Sequence, residues 1–162
     1  MSGLAPSHAP DPMRRQNMYA HILIATDGSD LAQRAVEQGL ALAKALNSEV
    51  TAVTVTEPWT AAVSGEWAVA FPVEEYEKAT AANAEKILGA VQAAAASLGV
   101  TCNGVHVKDQ YAAEGIVEEA KARDCDLIVM ASHGRRGIAK FILGSQATRV
   151  LAHSAVPLLI CR

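Results

Sequence analysis

Gly134, Gly144 and Ser145 are the residues of this chain whose types and spacing lend themselves most directly to chemistry. They lie in MASHGRRGIAKFILGSQATRVL (130–151), where nine residues separate the two glycines and Ser145 opens a helical pattern. A helix N-terminus presents unpaired backbone N–H groups and the positive end of the helix dipole, and a glycine before it lets an anion approach the main chain. That is the chemistry of a phosphate cradle. A plainer arrangement suits the same residues: Gly144 as a turn residue, Ser145 as a helix cap, Gly134 and Gly137 as loop hinges. Spacing alone leaves both open. A second cluster, Asp27-Gly28-Ser29, follows an apolar run, and either Asp27 or Ser29 can cap the helix after it. His133 has no carboxylate or second histidine at ligand spacing, so neither a metal site nor a catalytic triad is expected there. The nucleotide loop G-x4-G-K-[ST] is absent from the sequence.

Strands and helices must bring these clusters together, and from Tyr19 the two alternate. AHILIAT (20–26) is a buried-strand run. Asp30 to Leu46 follows as a helix, with Leu31, Ala35, Leu42 and Leu46 expected on its sheet-facing side and Asn47 and Ser48 as its stop. VTAVTVT (50–56) is β-branched and extended. Val73 to Leu98 repeats Tyr76, Thr80, Ile87, Val91, Ala94 and Leu98 at helical spacing, and Gly99 suits its C-terminal cap. Val100–Val107 predicts a third strand, Glu114–Arg123 a helix, DLIVMA (126–131) a fourth strand, Ser145–His153 a helix and VPLLICR (156–162) a fifth strand. Five strands separated by four helices predict an α/β fold, an open parallel sheet with helices on both faces.

The 162 residues allow one such domain and hardly two. Residues 1–18, rich in Pro, Ser and Ala, are expected to be a flexible tail, or a stretch preceding a start at Met18, which leaves 19–162 as the domain. A net charge of -3 removes any global basic field, so attachment to nucleic acid or anionic lipid is not expected and any polyanion site must be local. No apolar span of membrane length or signal-type core is present. Three cysteines, Cys102, Cys125 and Cys161, are odd in number and lack close pairing. They read as free thiols in a reducing, cytoplasmic setting. The connection EPWTAAVSGEWAVAFP (57–72) carries Trp59, Trp67 and Phe71 over 16 residues. Its length and aromatic content suggest a cover over a pocket or a partner surface.

ILIATDGSD at the first strand, DLIVMASHGRRG at the fourth, GS at the last helix and VPLLICR at the end together resemble the universal stress protein family over 19–162. The resemblance implies a Rossmann-like sheet of order 3-2-1-4-5, with strands one and four meeting at the switch point where open α/β sheets bind ligands. The nucleotide-binding branch of that family carries G-x2-G-x9-G-[ST]. This chain is similar to it at Gly134, Gly144 and Ser145 and departs from it at Ala131, which stands where the first glycine would contact ribose. By the same resemblance Asp27 contacts the nucleoside, the Val55 backbone reads adenine, and Ala25 and Met130 line the pocket. Gln146, next to Ser145, joins the candidate set. Arg135, Arg136 and Lys140 supply cations near the cradle, and Arg135 is the one taken as a phosphate contact.

Three functions compete on these residues. The first is an ATP-binding regulatory protein of the stress response, with Mg2+ accompanying the nucleotide and an unidentified protein partner. The second is a related enzyme, reduced at most to slow ATP hydrolysis, because TDGSD stands where such enzymes use an SGG-x-DS loop. The third is a nucleotide-free dimeric interaction module, which Ala131 keeps open. In each case the terminal strand, apolar and carrying Pro157, lies by the resemblance at a sheet edge, where it is expected to join a homodimer through Val156 to Cys161.

Overall fold

A computed structural model describes residues 18–63, 72–133 and 143–162. The elements are β1 (His21–Ala25), α1 (Asp30–Leu46), β2 (Glu49–Val55), α2 (Trp59–Ala62), α3 (Val73–Leu98), β3 (Cys102–Val107), α4 (Ala112–Ala122), β4 (Leu127–Ala131), α5 (Ser145–His153) and β5 (Leu158–Cys161). The strands form one parallel sheet of order β3-β2-β1-β4-β5. Both outer connections turn back from the centre, so β1 and β4 are neighbours whose following chains diverge. A crevice opens between them at their C-terminal ends.

Alternation along each strand divides the core in two. Ile22, Ile24, Val50, Ala52, Leu127 and Val129 join α1 and α3 in one cluster. Leu23, Ala25, Val53, Ile128 and Met130 join α4 and α5 in the other. On α1 the buried stripe is Ala32, Ala35, Val36, Gly39, Leu40 and Ala43, a correction to the face expected from the leucines. Leu31 and Leu42 pack only at the border of this cluster. Small residues took the central line because the helix lies close on the sheet: a Cβ at Gly39 would stand 2.7 Å from Ile24 Cδ1.

Most element ends differ by one or two residues from the sequence expectation, and hydrogen bonds account for several. The carboxylate of Asp126 accepts from the N–H groups of Ala20 and His21, so β1 starts at His21 and β4 after Asp126. Val100 does not begin β3, because its N–H still closes the end of α3 on Ala95 O beyond Gly99. Pro157 lacks an N–H and the N–H of Val156 donates to Ser154 Oγ, which delays β5 to Leu158. α2 is an addition within the 57–72 connection. Trp67 and Phe71 of that connection, and the tail to residue 17, lie outside the described residues.

Candidate functional site

The crevice is a cleft of about 120 Å³ lined by residues that include Ala25, Asp27, Val55, Met130, Ala131 and Gln146. Those six were expected together from sequence, whereas Gly144 and Ser145, expected with them, are not among the lining residues. The lining also includes Thr26, Ala32, Val53, Ala112, Ile116 and His133, which the sequence reading did not assign to a site. Ala112 and Ile116 come from the first turns of α4, and their helical i,i+4 spacing gives no hint that this helix end reaches the crevice. Gly134, Arg135, Arg136, Gly137 and Lys140 lie outside the described residues.

Asp27 follows the end of β1 and is held by a tight turn. Its Oδ1 accepts from Ser29 N–H at 3.0 Å, Thr26 Oγ1 accepts from Gly28 N–H at 3.2 Å, and Gly28 has φ +75, where a side chain would be strained. The helix cap belongs to Ser29, whose hydroxyl accepts from Ala32 N–H. Of the two candidates named from sequence, Asp27 is therefore the one not spent on capping α1.

The sheet also aims the backbone of Val55. Thr26 N–H donates to Val53 O, whereas Thr56 N–H donates to Val107 O on the other side. Peptide groups alternate direction along a strand, so those of Val55 turn the same way as those of Val53, toward β1. The last paired residues there are Ala25 and Val53, which places the Val55 backbone one step beyond the end of β1, at the cleft.

Across the crevice, α5 begins with Gly144 as its N-cap and no side-chain cap. Ser145 is thus the first helical residue, exposed, and not a capping serine. Gly144 N–H donates to Ser132 O at 2.8 Å. A Cβ at Gly144 would meet that oxygen at 2.6 Å, so glycine is required here by the contact between the α5 start and the end of β4, before any ligand is considered. Gln146 lines the cleft, and its Oε1 accepts from Ala113 N–H at 3.1 Å. This bond caps α4 from a distance and explains why that helix starts at Ala112, ahead of the expected Glu114. Arg149 reinforces the pairing of the two helices through an exposed ion pair with Glu114 at 2.7 Å. His133 lies against Ser132, Nδ1 to Oγ at 3.1 Å.

Ala131 is 7% exposed and its side chain belongs to the cluster beneath α1. Most of its methyl is therefore spent in the core. It pairs with Cys161 of β5, whose thiol burial pushes up above its ordinary pKa, the behaviour of a small apolar side chain. None of Cys102, Cys125 and Cys161 is joined in a disulfide. Among the described residues no cluster of three His, Cys, Asp or Glu side chains could hold a metal, and no helix is long and apolar enough to cross a membrane.

Residues 18–162 match the family model described as the universal stress protein family. The universal stress protein MJ0531 of Methanocaldococcus jannaschii is 30% identical over 150 residues, 91% of this chain and 84% of its own length. Universal stress protein UspA from Lactobacillus plantarum superimposes with a TM-score of 0.77 at 23% identity, covering 89% of this chain and 98% of its own. A universal stress protein crystallised in complex with cAMP is 26% identical, with a TM-score of 0.62 over 89% of this chain and 97% of its own.

Proposed function

Because the chain belongs to the universal stress protein family, we propose that the cleft between β1 and β4 binds ATP and that its occupancy regulates contact with a protein partner in the stress response. The observation that carries this reading is the convergence of Asp27, Val55, Met130 and Gln146, the second residue of α5, on one cleft. Each offers a different interaction. The Asp27 carboxylate accepts hydrogen bonds from ribose hydroxyls, the Val55 peptide group serves the polar edge of adenine, and Met130 and Ala25 supply apolar contact to the base. The uncapped first turn of α5 faces the phosphates with backbone N–H groups, the Ser145 hydroxyl and the positive end of the helix dipole. Gln146 takes part through its main chain while its side chain holds α4 in place. Gly134 and Arg135, outside the described residues, are the further phosphate contacts of this proposal. Magnesium would arrive bound to the phosphates, for the described side chains build no metal site of their own.

A related protein solved with cAMP favours an adenine nucleotide as the ligand class. The triphosphate is our own choice, resting on the helix end and the Gly144-Ser145 pair. Denaturing the purified protein and separating the released small molecules tests the reading: ATP or another adenine nucleotide is expected, near one per chain. Calorimetry of the nucleotide-free protein should then give tighter binding of ATP than of adenosine. Equal affinity for both removes the phosphate cradle.

One observation favours a second reading, the nucleotide-free interaction module. The cleft's 120 Å³ is below the roughly 300–1,000 Å³ usual for ligand sites. Absence of any bound or bindable adenine nucleotide would select it. Under either reading we propose a homodimer through β5, an edge strand whose Leu159 is 37% exposed. Light scattering at micromolar concentration should give twice the chain mass, and a monomer with and without ATP refutes the pairing.

A further inference from the structure

A second and larger cavity, about 440 Å³, shares no lining residue with the β1–β4 crevice and lies at the ends of β2 and β3. Its size falls within the range of small-molecule sites. Trp59 of α2 and Val73 and Tyr76 of α3 give it apolar and aromatic wall, and Glu57, Glu77, Lys108 and Asp109 give it charge. The aromatic wall is anchored, because Tyr76 Oη donates to Glu57 O at 2.7 Å.

The polar groups of this lining fall into two sets. The hydroxyls of Thr56, Tyr76 and Thr80 are already engaged within the protein, Thr56 with His106 Nε2 at 2.7 Å and Thr80 with Tyr76 O at 2.8 Å. The side-chain carboxylates of Glu57, Glu77 and Asp109 and the Lys108 ammonium enter none of the hydrogen bonds or ion pairs among the described residues. Three carboxylates against one ammonium leave a local excess of negative charge over an aromatic floor. An anion is repelled there, whereas an ammonium gains from the carboxylates, with the aromatic residues Trp59 and Tyr76 in the same lining. Methylene groups gain from Trp59 and Val73.

We propose that this cavity binds a small alkyl ammonium or diammonium ion. The site is separate from the nucleotide cleft, so the proposal stands whether or not ATP binds. The test uses the full chain and 1,4-diaminobutane, with tetramethylammonium as a second cation and acetate at matched ionic strength as the anion control. Calorimetry and the indole N–H resonance of Trp59 are followed together, and a Trp67→Phe variant makes Trp59 the sole indole. Saturable binding with a millimolar or tighter Kd, moving the Trp59 signal, is expected for the cations and not for acetate. Glu77→Gln combined with Asp109→Asn, both at exposed positions, should weaken binding about tenfold. Asparagine tolerates the left-handed backbone of Asp109 (φ 57), so the variant keeps its fold, which circular dichroism checks. No saturable response, an equal response to acetate, or undiminished affinity in the folded double variant overturns the proposal.

Discussion

Replacing Asp27 separates the charge proposed to hold the nucleoside from the turn that the same side chain stabilises. In Asp27→Ala the fold loses the 3.0 Å bond from Ser29 N–H, a contribution of about 0.5–1.5 kcal/mol. The cap of α1 survives, because the Ser29 hydroxyl supplies it to Ala32 N–H; losing that cap would cost about 1 kcal/mol more. Binding should suffer further. A hydrogen bond to a charged group is worth about 1.5–3 kcal/mol, so ATP affinity is expected to fall roughly ten- to a hundredfold. Asp27→Asn isolates the charge, because its Oδ1 can still accept from Ser29 N–H. Stability should then change little, while ATP affinity falls roughly five- to tenfold, the difference between a charged and a neutral acceptor. Calorimetry with ATP and adenosine, beside urea titrations of all three proteins, gives both quantities. Since ribose is common to the two ligands, both should weaken in parallel. An unchanged ATP dissociation constant in the folded alanine variant would refute the assignment.

Gly144→Ala must push α5 off the end of β4, since its Cβ would stand 2.6 Å from Ser132 O. It should cost about 1–3 kcal/mol in urea titrations as well as ATP affinity. Ser145→Ala, at an exposed position, should leave stability within about 0.5 kcal/mol and weaken ATP severalfold while sparing adenosine. Ala131→Gly removes a methyl that is mostly in the core, so stability should fall by about 1 kcal/mol while calorimetry shows ATP affinity rising less than tenfold. Burial, with a smaller push from Lys108, lowers the pKa of His106 below its ordinary 6.5. The unfolded chain therefore takes up this proton first, and the associated stability, present above 6.5, is lost as pH falls through the lowered value. His106→Gln should flatten the fall in urea midpoint between pH 7.5 and 5.5.

The alternation of strands and helices was legible because period and punctuation are local. Val73–Leu98 shows this best: its repeat and the glycine after it marked both ends of α3 where they are found. The same local signal misjudged the buried side of α1. It favoured the larger leucines, while close contact with Ile24 demanded Gly39, and Ala32 and Ala43 are buried on the same face. Amphipathicity reports that a helix has an inner face, and the distance to the sheet selects which residues fit it.

For the candidate site, the sequence by itself determined the chemical inventory: a carboxylate after β1, small residues after β4, and a helix opening at Gly144-Ser145. Resemblance to a family then implied that these distant segments meet. Only the tertiary structure decided how each group is used. It gave the cap of α1 to Ser29, bound Gln146 to the start of α4, and set Gly144 against the Ser132 carbonyl. It also brought Trp59, Tyr76, Glu77 and Asp109 around one cavity. These uses follow from hydrogen bonds and contacts between residues far apart in the chain, whose partners are chosen by the packing of the sheet and its helices and leave no mark in local spacing.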